Sequence, residues 1–263
     1  MASSNAAKSA SRREQLRAAR EREAAAARRK RITVVAVAVV VAAVLVAVIA
    51  MAAGGVFGKR SGGSGATSTV VSVRPPHASP GDKGVFSADN TNNSAPVLTV
   101  VDDFQCPACH QYETVYGPVF ESLAKKGEIR LEYRTRYFLD INLKNDSSVR
   151  AARAAAIADT FGKYQEYHDT VFSNQPSQEG VGYTDDQLRN SFPQAAGITG
   201  DDLAKFQSSY DKGEMNAFVD AVDKNASADG YNSTPTFLSN DKQIKFTNSA
   251  PTEDYVMQIV KAA

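Results

Sequence analysis

Only two cysteines occur in 263 residues, too few for a disulfide-rich scaffold or a four-cysteine zinc site. Net charge is also nearly absent, at +1, but the average conceals a division. Residues 1–31 carry ten Lys and Arg against three acids, residues 32–57 carry no charge, and the remainder carries twenty against twenty-six. The three parts are therefore +7, 0 and −6. A basic head on a mildly acidic body excludes a nucleic-acid-binding surface spread over the globular part. No internal repeat is present. Hydrophobic residues make up 43% and charged residues 22%, enough apolar material to bury a core and exclude disorder throughout.

The uncharged stretch sets the expected topology. Ile32 to Ala53 consists of Val, Ala, Ile, Leu and Met with one Thr, and about 20 such residues span a bilayer core as a helix. A cleaved signal peptide is the alternative, with Ala50-Met51-Ala52 at a plausible cleavage spacing. The run exceeds the roughly 7–15 residues of a signal core, however. Arg28, Arg29, Lys30 and Arg31 abut the span, whereas only Lys59 and Arg60 follow it closely. The positive-inside rule then places the N-terminus in the cytoplasm and the acidic body outside. The expected organisation is a basic cytoplasmic segment over 1–31, a transmembrane helix over 32–53, a flexible Gly/Ser/Pro-rich tether over 54–83, and one domain over 84–263.

Within that domain the pattern predicts alternating elements. Val97–Val101 reads as a buried strand entered from a turn. A helix follows from Pro107 to Lys125, with a kink expected at Gly117-Pro118. Ile129–Tyr133 reads as a second strand. Ser148–Phe172, Asp185–Ala196 and Asp201–Ala228 read as helices. Two short strands, Thr236–Leu238 and Ile244–Phe246, flank a turn at Ser239-Asn240-Asp241, and Pro251 opens a final helix. The expected fold class is α/β with a helical insertion over about 147–229.

Cys106-Pro107-Ala108-Cys109 lies where the first long strand ends and a helix begins. The unpaired N–H groups and positive dipole end of a helix stabilise an anion there, so Cys106 at the N-cap is expected to titrate below the free value of about 8.5. Cys109, one turn later on the same side, is expected to be buried and to resolve. A structural disulfide closing so short a loop would stabilise little, which favours a redox-active pair. Pro107, Ala108 and His110 are the candidates for tuning Cys106. Cys106 to His110 also matches the attachment signature of c-type haem, and a metal relay through His110 is a further alternative; neither is preferred, and no cofactor or metal is expected. His168 reads as a packing or surface histidine rather than a catalytic base. His77 reads as incidental.

Asp103-Phe104-Gln105-Cys106-Pro107-Ala108-Cys109, with Asn232-Ser233-Thr234-Pro235-Thr236-Phe237 farther on, resembles the DsbA-like thioredoxin-fold thiol-disulfide oxidoreductases, in particular the membrane-anchored forms of actinobacteria. The resemblance covers residues 84–263. It implies a thioredoxin fold interrupted by a helical domain and a cis Thr234–Pro235 bond forming a substrate-binding loop beside the sulfurs. It also implies reduced exported proteins as substrates and a quinone-linked membrane reoxidant, either DsbB-like or vitamin-K-epoxide-reductase-like. One departure is visible. Family members often carry a buried Glu six residues before the first cysteine, and Val100 stands there. Asp103 is either a partial substitute or a strand-end turn residue, the second being preferred.

Overall fold

The computed structural model describes residues 73–88, 92–248 and 250–263. The basic head, the expected membrane span and residues 54–72 of the expected tether lie outside the described residues. Among the described residues, no helix is long and apolar enough to cross a membrane.

Five strands form one sheet in the order β1-β3-β2-β4-β5. Central β2 (Val97–Asp103) runs parallel to β3 (Arg130–Arg136), with Val97 opposite Arg130 and Asp103 opposite Arg136. β4 (Thr236–Ser239) lies antiparallel on its other side. With neighbours on both edges and helices on its faces, β2 buries every residue after Val97, which is why it reads as a continuous apolar run rather than an alternation. β3 is longer than its apolar pattern suggested. Its second half brings in charged residues that are paired: Arg134 with Glu132 and Asp241, each at 2.9 Å, and Arg136 with Asp223 at 2.8 Å.

The hairpin to β5 (Lys242–Ile244) turns through Asn240 and Asp241, both left-handed at φ 48° and 66°. Those two residues form the two-residue turn that suits strand twist. β5 therefore starts directly after the turn, ahead of the expected Ile244–Phe246.

Helix α1 (Pro107–Lys125) runs through Pro118 as a single element. Between β3 and β4 comes the helical block: α2 (Leu139–Leu143), α3 (Ser147–Ala158), α4 (Tyr164–Ser173), α5 (Phe192–Ala195), α6 (Gly200–Lys212) and α7 (Asn216–Ala228). Two expected long helices are each divided at a left-handed glycine, Gly162 and Gly213, both at φ 65°. There the backbone adopts a conformation that costs other residues free energy. Helix α8 (Glu253–Ala262) starts at an N-cap, Thr252, whose hydroxyl accepts from the Tyr255 N–H at 3.2 Å. Pro251 therefore precedes the helix instead of opening its first turn.

The core joins these layers. α1 packs with α8, while α3 and α7 pack on β3. Phe120, Leu123, Phe237, Phe246, Val256 and Val260 are all buried, and burying each such side chain contributes about 1.5–3 kcal/mol.

Residues 75–83, read from composition as the end of the tether, are part of this body. Ala78 bridges Val85 in β1 (Val85–Phe86). The His77 N–H and ring each reach the buried Asp159 carboxylate at 2.8 Å. Gly84 is required here, since a Cβ would lie 2.3 Å from the Tyr133 carbonyl oxygen.

Candidate active site

Cys106 is the N-cap of α1, with extended backbone at φ −77° and ψ 115° and Pro107 in the first turn. Its sulfur accepts from the Cys109 N–H at 3.3 Å. Both cysteines are free thiols. Donation by the Cys109 thiol lowers Cys106 most; burial opposes it; the Thr234 side chain and the N–H groups of Cys109 and Ala108 add to the lowering, and the result is about 6. Cys109 is driven the other way, first by burial, then by its bond to Cys106 and by the charges of Cys106 and Asp102. The two sulfurs of one helical turn are thereby split into an anion and a thiol.

Cys106 is less open than a bare helix end would be. It retains 7% of its surface and Cys109 1%. The cover is the Thr234–Pro235 loop, which has the cis bond the resemblance implied and brings the Thr234 carbonyl oxygen 3.5 Å from the Cys106 sulfur. Arg136 holds the chain entering this loop, donating to the Tyr231 carbonyl and pairing with Asp223. Thr236 donates to the Ser233 carbonyl at 2.7 Å. Pro107 and Ala108 are exposed beside the sulfur, and the half-buried His110 makes no ring hydrogen bond to either thiol.

Residues with no sequence signal of their own fix the approach to Cys106 from the helical block. Tyr183 donates to the Phe104 carbonyl at 2.7 Å. Gln175 donates to the carbonyls of Phe104 and Cys106 at 2.9 and 3.1 Å. Gln105 reaches Asp140 and Asn145 at 2.7 and 2.8 Å. Asp103 behaves as the strand-end turn residue: its carboxylate accepts from the Gln105 N–H at 3.0 Å and from Ser148 at 2.5 Å. Burial pushes its carboxyl up to about 7 against those hydrogen bonds and that of the Leu139 N–H, with the Asp140 charge adding to the rise.

Behind the thiols lies a second ionisable group. His168 is fully buried and not at the surface, with its ring centroid 4.1 Å from that of Tyr133 and 4.9 Å from that of Phe172. Its Nε2 meets Asp102 Oδ2 at 2.7 Å. Burial works against its charge, but the hydrogen bond to Asp102, the Asp169 carboxylate 3.6 Å from Nδ1 and the charges of Glu113 and Asp102 prevail, raising it to about 10. Val100 is an ordinary core residue opposite Phe237 and Tyr133. The buried carboxylate of this strand that acts on Cys109 is Asp102, two positions along.

A pair of thiols so divided can exchange disulfides: the anion attacks, or is attacked and leaves, and the inner thiol closes the bond. Haem attachment through both sulfurs does not fit, because Cys109 faces the interior.

Comparison with known proteins agrees with this geometry. Among curated proteins none matches the sequence. The fold is similar to that of DsbA from Mycobacterium tuberculosis in its reduced form (24% identity, 68% of this chain and 92% of that one, TM-score 0.56). It is similar also to MdbA, a thiol-disulfide oxidoreductase from Corynebacterium diphtheriae (22%, 65% and 88%, 0.54), and to MdbA from Actinomyces oris (18%, 70% and 89%, 0.54). A family model described as thioredoxin matches residues 91–261. That span is well over half of the chain, and the protein belongs to the thioredoxin family.

Proposed function

We propose that the protein is a membrane-tethered, extracytoplasmic thiol-disulfide oxidoreductase that introduces disulfides into exported proteins. The observation that carries this reading is the Cys106 sulfur at the N-terminus of α1, held down to about 6. Oxidising power comes from a stabilised reduced form, and a Cys106 thiolate at neutral pH is such a form. In the oxidised enzyme a substrate thiolate attacks the Cys106 sulfur. The Cys106–Cys109 bond breaks, and its electron pair, followed by a proton, goes to Cys109, whose burial favours the thiol. A second substrate thiolate then attacks the substrate sulfur of the mixed disulfide, closing the substrate's own bond. Cys106 leaves as a thiolate, and a low thiol pKa makes it a fast leaving group. Two electrons have moved to the cysteine pair, and a quinone-linked membrane partner of the DsbB or vitamin-K-epoxide-reductase kind takes them on.

Thr234 and Pro235 form the loop against which a substrate chain lies beside Cys106. A groove on α1 lined by Tyr112, Val115, Tyr116 and Phe246 offers an apolar surface to an unfolded segment. The basic head over 1–31, the span over 32–53 and the tether after it keep the domain at the outer membrane face, near both newly exported chains and the reoxidant. Equilibration with glutathione tests the direction. A potential near that of strong oxidants, about −120 mV, is expected, and one near that of thioredoxin, about −270 mV, would make the protein a reductase.

A further inference from the structure

Asp102 in β2, Glu113 in α1 and His168 in α4 lie far apart in sequence, and the exchange chemistry leaves them unused. One oxygen or nitrogen from each lies within 4.8 Å of the others. Donors around a single small cation sit on the order of 3–4 Å apart, given bonds of about 2.0–2.2 Å. Asp102 and His168 are fully buried, Asp102 Oδ1 has no hydrogen-bond partner, and His168 Nδ1 is approached only at 3.6 Å, by Asp169 Oδ1. Leaving such atoms unsatisfied costs roughly 1–3 kcal/mol each, so the arrangement points to a ligand.

Three further observations agree. A surface groove with about 250 Å³ of open space borders the site at Glu113, lined also by His110, Glu121 and Asp169 among others. The charged groups around the site are unbalanced. Asp102, Glu113, Glu121 and Asp169 supply four carboxyls against the imidazoles of His168 and His110, and Tyr133, packed on the His168 ring, is neutral. Finally, Gly117 leaves room for the Glu113 carboxylate to fold inward, since a Cβ there would lie 2.9 Å from its Oε2.

We propose that Asp102, Glu113 and His168 form a binding site for a divalent cation of the zinc type, beside the groove on α1. An imidazole with two carboxylates is a donor set that zinc accepts, with water in the remaining position. Calcium and magnesium prefer oxygen ligands throughout. Ligands bind the ion deprotonated, so binding releases the proton shared by the His168–Asp102 pair.

Titration calorimetry on the full chain carrying Cys106→Ser and Cys109→Ser tests the site with both thiols removed, and its outcome is independent of the exchange activity. With zinc chloride, saturation at one ion per chain with proton release is expected, and with calcium chloride no saturation. Glu113→Gln should weaken zinc binding by roughly tenfold or more, as loss of even an outer-shell partner does. Gly117→Ala, which displaces the Glu113 carboxylate without removing a ligand, should weaken it less. Absence of saturable zinc binding would overturn the proposal. So would an affinity unchanged in Glu113→Gln, equal binding of calcium, or binding lost only in His110→Ala.

Discussion

The two ends of the first two turns of α1 bury ionisable groups and treat them in opposite ways. At the outer end Cys106 is surrounded by donors: the Cys109 thiol, the Thr234 side chain and the N–H groups of the first turn. Its anion is favoured in spite of burial. Two turns inward Glu113 has no hydrogen-bond donor among the described residues, and burial first, then the neighbouring carboxylates of Asp102, Asp169 and Glu121, keep it protonated near neutrality although the His168 charge opposes them. What separates them is what the neighbours can donate against the cost of burial. A helix N-terminus is an anion site only where its N–H groups and nearby thiols face the group.

The largest effect should come from separating the outer pair. Cys109→Ser should leave mixed disulfides between Cys106 and exported proteins, visible as reducible high-mass bands, while Cys106→Ser should give none. The reverse pattern would exchange the roles of the two sulfurs. At the inner end, Asp102→Leu should leave the His168 charge buried without its partner and cost about 3–5 kcal/mol in urea unfolding of the oxidised protein. Adding His168→Leu should recover a good part of that loss, because an apolar pair of similar volume replaces a buried ion pair with little penalty. A double variant no more stable than Asp102→Leu would mean that the ion pair is not what the site loses. A smaller effect is expected between the two ends. Tyr183→Phe removes one hydrogen bond to the Phe104 carbonyl but leaves that of Gln175, so about 1 kcal/mol is expected. A loss of several kcal/mol would show that Tyr183 alone holds the loop before Cys106.

The outer end was legible in the sequence because its signals are local. Cys-Pro-x-Cys after an apolar strand states the cap, the helix and the paired thiols within four residues, and Thr234-Pro235 is a dipeptide signal. The approach to Cys106 from the helical block was not legible, since Gln175 and Tyr183 come from that block and act through backbone carbonyls. The inner end was less legible still. Asp102, Glu113 and His168 have no metal-ligand spacing, His168 reads singly as a packing or surface residue, and only the fold of β2, α1 and α4 brings the three together. The same holds for the second half of β3, where Arg134 and Arg136 broke the apolar pattern because their partners, Asp241 and Asp223, lie about a hundred residues away. Gly162 and Gly213 divided helices whose flanking periodicity ran on without a break.

The central claim, that the outer end of α1 holds a stabilised thiolate, is tested most directly by the absorbance of the reduced protein at 240 nm across pH. A pKa of about 6 in the folded protein lies below the value of about 8.5 in the unfolded chain. The stabilisation of the reduced fold is therefore complete above about 8.5 and is lost as pH falls through about 6. One transition near 6 that disappears in Cys106→Ser, with no second thiolate until well above 8.5, is the expected result. A Cys106 transition at or above 8.5 would contradict the account.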